Sequence, residues 1–589
     1  MRAPEPSEPL IDPRASTSKP SRWWQWLALG GVMLVSLFMN FYQLGQNGFG
    51  NTYYAAGVRS MLDNWHNFFF VSFDPGGFVT LDKPPLGFWL QVVSARLFGF
   101  TAFSVYLPQA LSGVLAVALL YWLVRRHFGV AAGLLAALAL AVSPISVVTN
   151  RNNTIDSTLV LALLLGAWAV MRAAETGKLR WLLLCAVAVG LGFNIKTMAA
   201  YLVLPAFGLL YLLAAPRKIW TRIGHLALAT VVLLLLSLSW ITIVDLTPAA
   251  QRPYVGSTQD NSELSLTLGY NGIQRLLGHA IGKGGTINGG PNSGQQPPQN
   301  GGFPGSGNGG SNSQSSGSNP PAGGFGGGAF SGGGSASPLR LFNQTLGGQI
   351  AWLLPFALLG MVALAWQKRP RFPLEDREQL SLVLWGMWLL TMGIFFSVAS
   401  FFHEYYLTEM APAVGALFGI GAVVMWRDYR SAGWRGWLLP LAIAVTGATQ
   451  IYILSSFPDW SKWLTPPIAV IGGIAVIVLV MARLIPRIKL SAKNFRYTSA
   501  AFCVAALALL IAPAVWAAIP MLNHSESQLP IAGPEQAASG LVLYISGPGG
   551  TERIDMPGSG QLSSAGGPGG MGMRGGEADQ KLIQYLEKN

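Results

Sequence analysis

Stretches of about twenty mostly apolar residues recur along this chain, and no other feature constrains its folding as strongly. A helix of that length spans the roughly 30 Å hydrocarbon core of a bilayer. In lipid, only helices and closed barrels satisfy every backbone polar group from within. Spans are expected at about 24–44, 103–124, 130–149, 156–173, 179–196, 198–215, 224–246, 345–366, 380–400, 406–426, 435–455, 465–484 and 497–519. That makes about 13 transmembrane helices and an all-α polytopic membrane protein. Charge agrees, because only 11% of the 589 residues are charged, against roughly a quarter in soluble globular chains.

The few charges are unevenly placed. Basic clusters fall on alternate short loops: Arg125-Arg126-His127, then "MRAAETGKLR", "PRKIWTR", "QKRPRFPLEDRE", "WRDYRSAGWRG" and "ARLIPRIKLSAKNFR". Cytoplasmic loops carry such an excess of Lys and Arg, so the N-terminus is expected inside and the C-terminus outside. The net charge of +13 therefore points to membrane orientation and contact with membrane lipids, and to no nucleic-acid partner. Cys185 and Cys503 both lie in apolar runs, where they read as small packing residues rather than a disulfide framework. Residues 1–23 form a polar, proline-containing cytoplasmic tail without a signal-peptide layout, so the first run is expected to stay as a helix.

The membrane domain is expected over 24–519. Two outer regions are large: a first loop over 45–102 and a second over 247–344. The second contains a Gly/Asn/Ser-rich insert at about 281–336 that cannot build a core. An outer Gly-rich segment over 520–589 holds only "ASGLVLYISG" and "DQKLIQYLEKN" as plausibly ordered pieces.

Ionisable residues at helix depth are costly and usually mark function. On the threaded chain they collect at one face: Asp74, Asp82 and Lys83 in the first loop, then Asn150 to Asn153 with Arg151, and Asp156. Asn194, Lys196, Asp245, Arg252, Tyr254, His403, Glu404, Tyr405 and Tyr406 follow on the same side. Each has a plain alternative: Asp156 as a helix cap, Lys196 as a snorkelling cation, His403 as an aromatic-belt residue. Their co-location in tight junctions instead suggests an extracytoplasmic cavity. Pro84 and Pro85 lead into "LGFWLQVVSARLFG", which suits an interfacial helix better than a span and would hold Asp82 and Lys83 at headgroup level. Groups of both signs at that depth fit a substrate that is half lipid and half polar.

The segments "YYAAGVRSML", "DKPPLGFWLQVVSARLFG", "NRNNTIDSTLVLALLLGAWAV" and "GLGFNIK", with "RPYVGST", "GYNG" and the Phe402–Tyr406 element before "MAPA", carry a resemblance. Over residues 24–520 the chain resembles the membrane glycosyltransferases of the protein mannosyltransferase and aminoarabinose transferase superfamily. These have GT-C architecture, are similar to glycosyltransferase family 39, and include a bacterial mannosyltransferase branch to which the match is nearest. The resemblance implies a multi-pass plasma-membrane enzyme with an extracytoplasmic active site. Its reaction is inverting transfer of a sugar such as mannose, glucose or arabinose from a polyprenyl-phosphate donor to a cell-envelope acceptor, whether protein, glycolipid or polymer. The lipid-linked sugar is the substrate, no organic cofactor is needed, and a divalent cation is an option that no dense ligand motif demands.

By the same resemblance, Lys196, Lys83, Arg151 and His403 would meet the donor phosphate. Asn51, Tyr54, Asn153, Asn194, Arg252, Tyr254, Tyr405 and Tyr406 would bind sugar or acceptor. Many relatives place an acidic pair where this chain has Gly50 and Asn51, neither of which can act as a base. Asp74, beside a proline and two glycines, is the first choice to replace it, with Asp156 and Asp82 as alternatives; Asp74 as a plain turn residue is the competing reading. A secondary transporter is the rival class, expected to show midplane charges and internal repeats.

Overall fold

The computed structural model describes residues 23–273, 335–368, 374, 376–399, 402–431, 433–484, 492–523, 529–534, 542–547 and 550–555. The N-terminal tail, nearly all of the Gly-rich insert and the "DQKLIQYLEKN" piece lie outside them. Helix α1 (Trp23–Phe41) precedes the first loop, which folds into three short helices, α2 (Thr52–Met61), α3 (Trp65–Phe70) and α4 (Leu86–Phe98). Then come α5 (Ala102–Phe128), α6 (Val130–Ala141), α7 (Pro144–Asn150), α8 (Asp156–Thr176), α9 (Leu179–Lys196), α10 (Leu204–Ala214) and α11 (Ile219–Leu246). Beyond the second loop the order is α12 (Gln344–Ile350), α13 (Leu354–Gln367), α14 (Arg377–Val398), α15 (Ala411–Arg430), α16 (Leu438–Ser455), α17 (Pro458–Leu484) and α18 (Ala492–Leu522).

Among the described residues, ten helices are long and apolar enough to cross a membrane, or eleven if the pair α6 and α7, bent by 59°, is one span. Eleven is two fewer than the thirteen expected, and the difference has two sources. Residues 179–214 form one helical run of 36 residues, yet it cannot be a straight rod. Lys196 pairs with Asp156 at the first residue of α8, while Arg217 donates to the Gly177 carbonyl just past its last. The chain therefore turns back at Thr197, and α10 returns alongside α8. The expected span at 406–426 is α15, which starts later and is buried on nearly every side. A helix enclosed by protein need not be apolar enough to face lipid, and α15 ends in Arg427, Asp428 and Arg430.

Small residues let the central helices touch. A Cβ on Gly360 of α13 would come 2.6 Å from the Gly421 Cα of α15, the close backbone approach that membrane bundles build from small side chains. Trp352, Trp385, Trp388 and Trp516 fill the surrounding core.

The basic loops share one end of the bundle. His127 is hydrogen-bonded to Ser381 at 2.7 Å and to Glu175 at 3.1 Å, Leu374 N–H donates to Leu213, and Arg427 pairs with Glu378 at 2.6 Å. Arg483 donates to the Tyr429 carbonyl at 2.7 Å. These bonds tie five of the six basic segments together without reference to any membrane.

The expected boundary at 519 shifts. Helix α18 runs to Leu522, and Ala532 is buried against Gln349 through two hydrogen bonds, so the membrane unit extends to Pro534. The second unit, Glu535–Asn589, contains an antiparallel hairpin of β1 (Val542–Gly547) and β2 (Gly550–Asp555), in register Val542 to Asp555. Strand β1 coincides with most of the "ASGLVLYISG" segment.

Candidate active site

The two outer loops brace each other. Tyr254 N–H donates to Phe78 O at 2.7 Å, and Thr80 N–H donates to Tyr254 O at 2.9 Å. Gly256 N–H reaches the Thr80 hydroxyl at 3.1 Å. The second strand-like segment is itself rigid, since Arg252 donates to the Thr247 carbonyl and to both oxygens of Asn261 at 2.7–3.0 Å. The stem leading into Asp82-Lys83 is thus clamped by the "RPYVGST" segment. Buried Pro84 and Pro85 then start α4, the short helix expected over this stretch, with Leu90, Val93 and Leu97 left exposed on one side.

Two lysine–carboxylate groups result. Lys83 pairs with Asp82 Oδ2 at 2.5 Å and donates to Asn271 Oδ1 at 3.2 Å, while Asn271 Nδ2 holds the Asp82 carbonyl at 3.0 Å. The other oxygen, Asp82 Oδ1, is buried and has no hydrogen-bond partner among the described residues. In the second group the Lys196 ammonium binds Asp156 Oδ1 and lies 3.3 Å from Glu409 Oε1. Asp156 is the first residue of α8 and Lys196 the last of α9, so each charge sits at the helix end whose macrodipole favours it. The Tyr406 ring centroid is 3.4 Å from Lys196 Nζ and that of Tyr405 is 5.4 Å away, a cation–π arrangement. His403 stacks on Tyr405 at 5.5 Å.

Tyr54 connects the two groups. Burial holds its hydroxyl well above the ordinary phenol range, and the nearby Asp82, Tyr406 and Asp156 push it the same way. Lys83 is likewise within electrostatic reach of Asp156. Asp82, Lys83, Tyr54, Asp156, Lys196, His403, Tyr405 and Tyr406 are therefore assembled at one end of the bundle, opposite the basic loops.

Other expected residues brace this centre. Asn51 caps α2 through Tyr54 N–H, and Asn153 grips the Asn51 backbone at both N–H and carbonyl, at 3.0 and 2.7 Å. Asn194 ties α9 to α11 through the Leu236 carbonyl at 2.9 Å. Arg151 donates to the carbonyls of Met39, Asn40 and Gln43, capping the end of α1. Asp74 accepts from the Phe78 and Val79 N–H groups at 3.0–3.2 Å, closing a turn. Tyr254 is 42% exposed, with its hydroxyl on the Thr258 carbonyl. Sequence reasoning missed Glu409, although a lone acid at the mouth of an apolar run was a signal. It also gave no role to Asn271, inside the quoted "GYNG".

Residues 82–240 match the family model of dolichyl-phosphate-mannose-protein mannosyltransferases. "Putative mannosyltransferase YkcB" of Bacillus subtilis (strain 168) is 40% identical over 95% of this chain and 80% of its own length. "Putative mannosyltransferase YycA" of the same organism is 42% identical over 86% and 78%. The chain belongs to the GT-C membrane glycosyltransferases. A crystal structure of ArnT from Cupriavidus metallidurans bound to undecaprenyl phosphate aligns over 84% of this chain and 76% of that one, at TM-score 0.50 and 20% identity, and shows the fold. The enzyme is of the mannosyltransferase and aminoarabinose-transferase-like group, in its bacterial mannosyltransferase branch. It is a multi-pass membrane glycosyltransferase.

In this glycosyltransferase the absence of an acid at position 50 has a steric basis. Gly50 adopts φ +56°, and a Cβ there would lie 2.7 Å from both Asn152 Nδ2 and Tyr106 Oη. Gly50→Asp is therefore expected to destabilise the enzyme by about 1–3 kcal/mol and to give no gain in transfer. Thermal unfolding in detergent together with an activity assay checks this; a stable, faster variant would show that the position accepts an acid.

A titratable neighbour flanks the first group. Glu263 is buried, and burial first, then Asp245, push its carboxyl up to about 8. Its Oε1 has no hydrogen-bond partner among the described residues. A carboxyl whose folded pKa lies above its usual 4.5 takes up a proton on folding, so its contribution is fully present below 4.5 and is lost as pH rises through 8. The unfolding temperature of the glycosyltransferase is expected to fall between pH 5 and 8, and Glu263→Gln to flatten that slope. Parallel melts across pH decide it, and an unchanged slope in E263Q would remove Glu263 as the cause.

Proposed function

We propose that sugar transfer takes place at the Asp82–Lys83 pair, with Asp156, Lys196 and Glu409 as the electrostatic frame behind it. The observation that carries this is the condition of Asp82. One oxygen holds Lys83, the other is buried without a hydrogen-bond partner among the described residues, and the side chain as a whole keeps 14% exposure where those of Asp156 and Glu409 keep 1%. Asp74, by contrast, has its carboxylate engaged by backbone N–H groups.

Asp82 Oδ1 accepts the proton of the acceptor hydroxyl. The acceptor oxygen bonds to the anomeric carbon from the face opposite the phosphate, and the carbon–oxygen bond to phosphate breaks with its electron pair leaving on the polyprenyl phosphate. Lys83 stabilises that developing charge, and in a site shielded from water such help is large. Lys196 already faces two carboxylates, so its role is to fix Asp156, Glu409 and the Tyr405–Tyr406 edge.

Among the described residues no group of three or more His, Cys, Asp or Glu is placed to hold a metal ion.

The N-terminus is assigned to the cytoplasm and the C-terminus to the outside, supported by the basic loops gathered at the end opposite the site. The relatives' names support mannose as the first sugar to test, ahead of glucose and arabinose. Purified enzyme in proteoliposomes, offered a panel of labelled polyprenyl-phosphate sugars and envelope acceptors, is expected to transfer one sugar preferentially, with loss on Asp82→Asn. Transfer that proceeds unchanged in D82N would overturn the assignment of the site.

A further inference from the structure

The ends of α5, α8 and α9 remote from the transfer site border an open cleft of about 590 Å³, lined by Trp122, Arg125, Arg126, Trp168, Arg172 and Trp181. Helix α8 places this cleft on the other side of the membrane. Asp156 begins the helix at the transfer site, Arg172 and Glu175 lie at its far end, and its 21 residues rise about 30 Å, the thickness of the hydrocarbon core. With the transfer site extracytoplasmic, the cleft faces the cytoplasmic leaflet.

Its lining combines two kinds of group in alternation. The three tryptophans form a chain of edge contacts, 6.5 Å from Trp122 to Trp168 and 5.2 Å from Trp168 to Trp181. Guanidinium groups lie over them: Arg126 over Trp122 at 5.9 Å, and Arg172 and Arg180 over Trp181 at 5.5 Å each. Glu175 binds Arg126 and lies 3.4 Å from Arg172, and it also takes His127. Arg125 has no carboxylate partner among the described residues; its contact is the Tyr121 ring at 5.5 Å. The three lining guanidinium groups, Arg125, Arg126 and Arg172, against the one carboxylate of Glu175 leave the cleft about two charges positive before Arg180 is counted. Loops that merely set orientation would satisfy the positive-inside rule with Lys and Arg free in water. Here the cations are held on an aromatic floor between three helices, with Trp122 44% exposed.

We propose that this cleft is a binding site for an anionic phospholipid of the cytoplasmic leaflet, with the phosphodiester held by Arg125 and Arg172 and the upper acyl chain against the tryptophans. Basic pockets between helices at the cytoplasmic side are suited to such headgroups. The site is separate from the transfer chemistry and holds whether or not Asp82 is the base.

The test uses the full-length enzyme in detergent, with native mass spectrometry and thermal unfolding after titration with phosphatidylglycerol, phosphatidylcholine or inorganic phosphate. Phosphatidylglycerol is expected to be retained and to raise the unfolding temperature, with at least a five-fold weaker response to phosphatidylcholine. Arg125→Gln, which breaks no ion pair, is expected to cut phosphatidylglycerol retention at least three-fold while sugar transfer in detergent persists. Arg125→Lys, which keeps the charge, should retain more lipid than R125Q. Equal retention of both lipids, an R125Q variant that binds as well as the parent, or inorganic phosphate reproducing the whole shift would each overturn the proposal. A polyprenyl phosphate that displaces phosphatidylglycerol at stoichiometric ratio would overturn it too, by making the cleft a carrier site.

Discussion

Replacing Asp82 with Asn is expected to lower the turnover of sugar transfer by about 10²–10⁴-fold, the contribution typical of a positioned general base. The amide keeps the shape of the carboxylate and leaves an oxygen to accept from Lys83, so D82N should still fold and insert. What it loses is the basicity of Oδ1, the oxygen that has no partner among the described residues. Asp74→Asn is the matched control, because its carboxylate closes the turn to Phe78 and Val79 and an amide oxygen can still accept one of those bonds. D74N should keep turnover within a few-fold of the parent. The assay is transfer from a labelled polyprenyl-phosphate donor in proteoliposomes, read with the pH dependence of kcat/KM. Loss of the acidic limb in D82N supports the base assignment; an inactive D74N beside an active D82N would move the base to Asp74.

The second large effect belongs to Lys196. Lys196→Met would leave Asp156 and Glu409 facing each other without the cation that now binds both. Removing one partner of a buried ion pair costs about 3–5 kcal/mol, because an uncompensated charge remains. The unfolding temperature should fall steeply, and transfer should be lost along with the placement of the Tyr406 ring over the ammonium. A double variant separates framing from chemistry. Adding Glu409→Gln to K196M removes one of the two stranded carboxylates and should recover stability through a coupling of about 0.5–3 kcal/mol, with transfer still absent. Additive losses in the double variant would show that Glu409 and Lys196 do not act as one unit.

Several parts of the site were legible along the chain. "DKPP" announced a charged pair at the start of a short helix, and Asp82, Lys83 and α4 are found there. Asp156 and Lys196 stood out as charges at the ends of apolar runs, and each proved to terminate its helix. The order of helices followed from the apolar runs, although α10 was shorter than the span drawn for it and α15 began five residues later. The roles of individual polar residues were much less legible. Arg151, Asn153, Asn194 and Arg252 look like ligand-binding groups in a linear reading, yet each is engaged by backbone carbonyl groups from other segments. A side chain's type shows what it can bond to; its partner depends on where the backbone passes.

Hydrophobicity is a local property, summed over a window of neighbours, so the sequence by itself determined that the chain is a helical membrane protein with its unusual charges at the ends of its helices. Pairing is not local. Glu409 reaches Lys196 across 213 residues, and Asn271 reaches Lys83 across 188. Only the tertiary structure decided which carboxylates are tied to a cation or a turn and that one Asp82 oxygen is buried without a partner among the described residues, because that depends on how the two outer loops close over the helix ends.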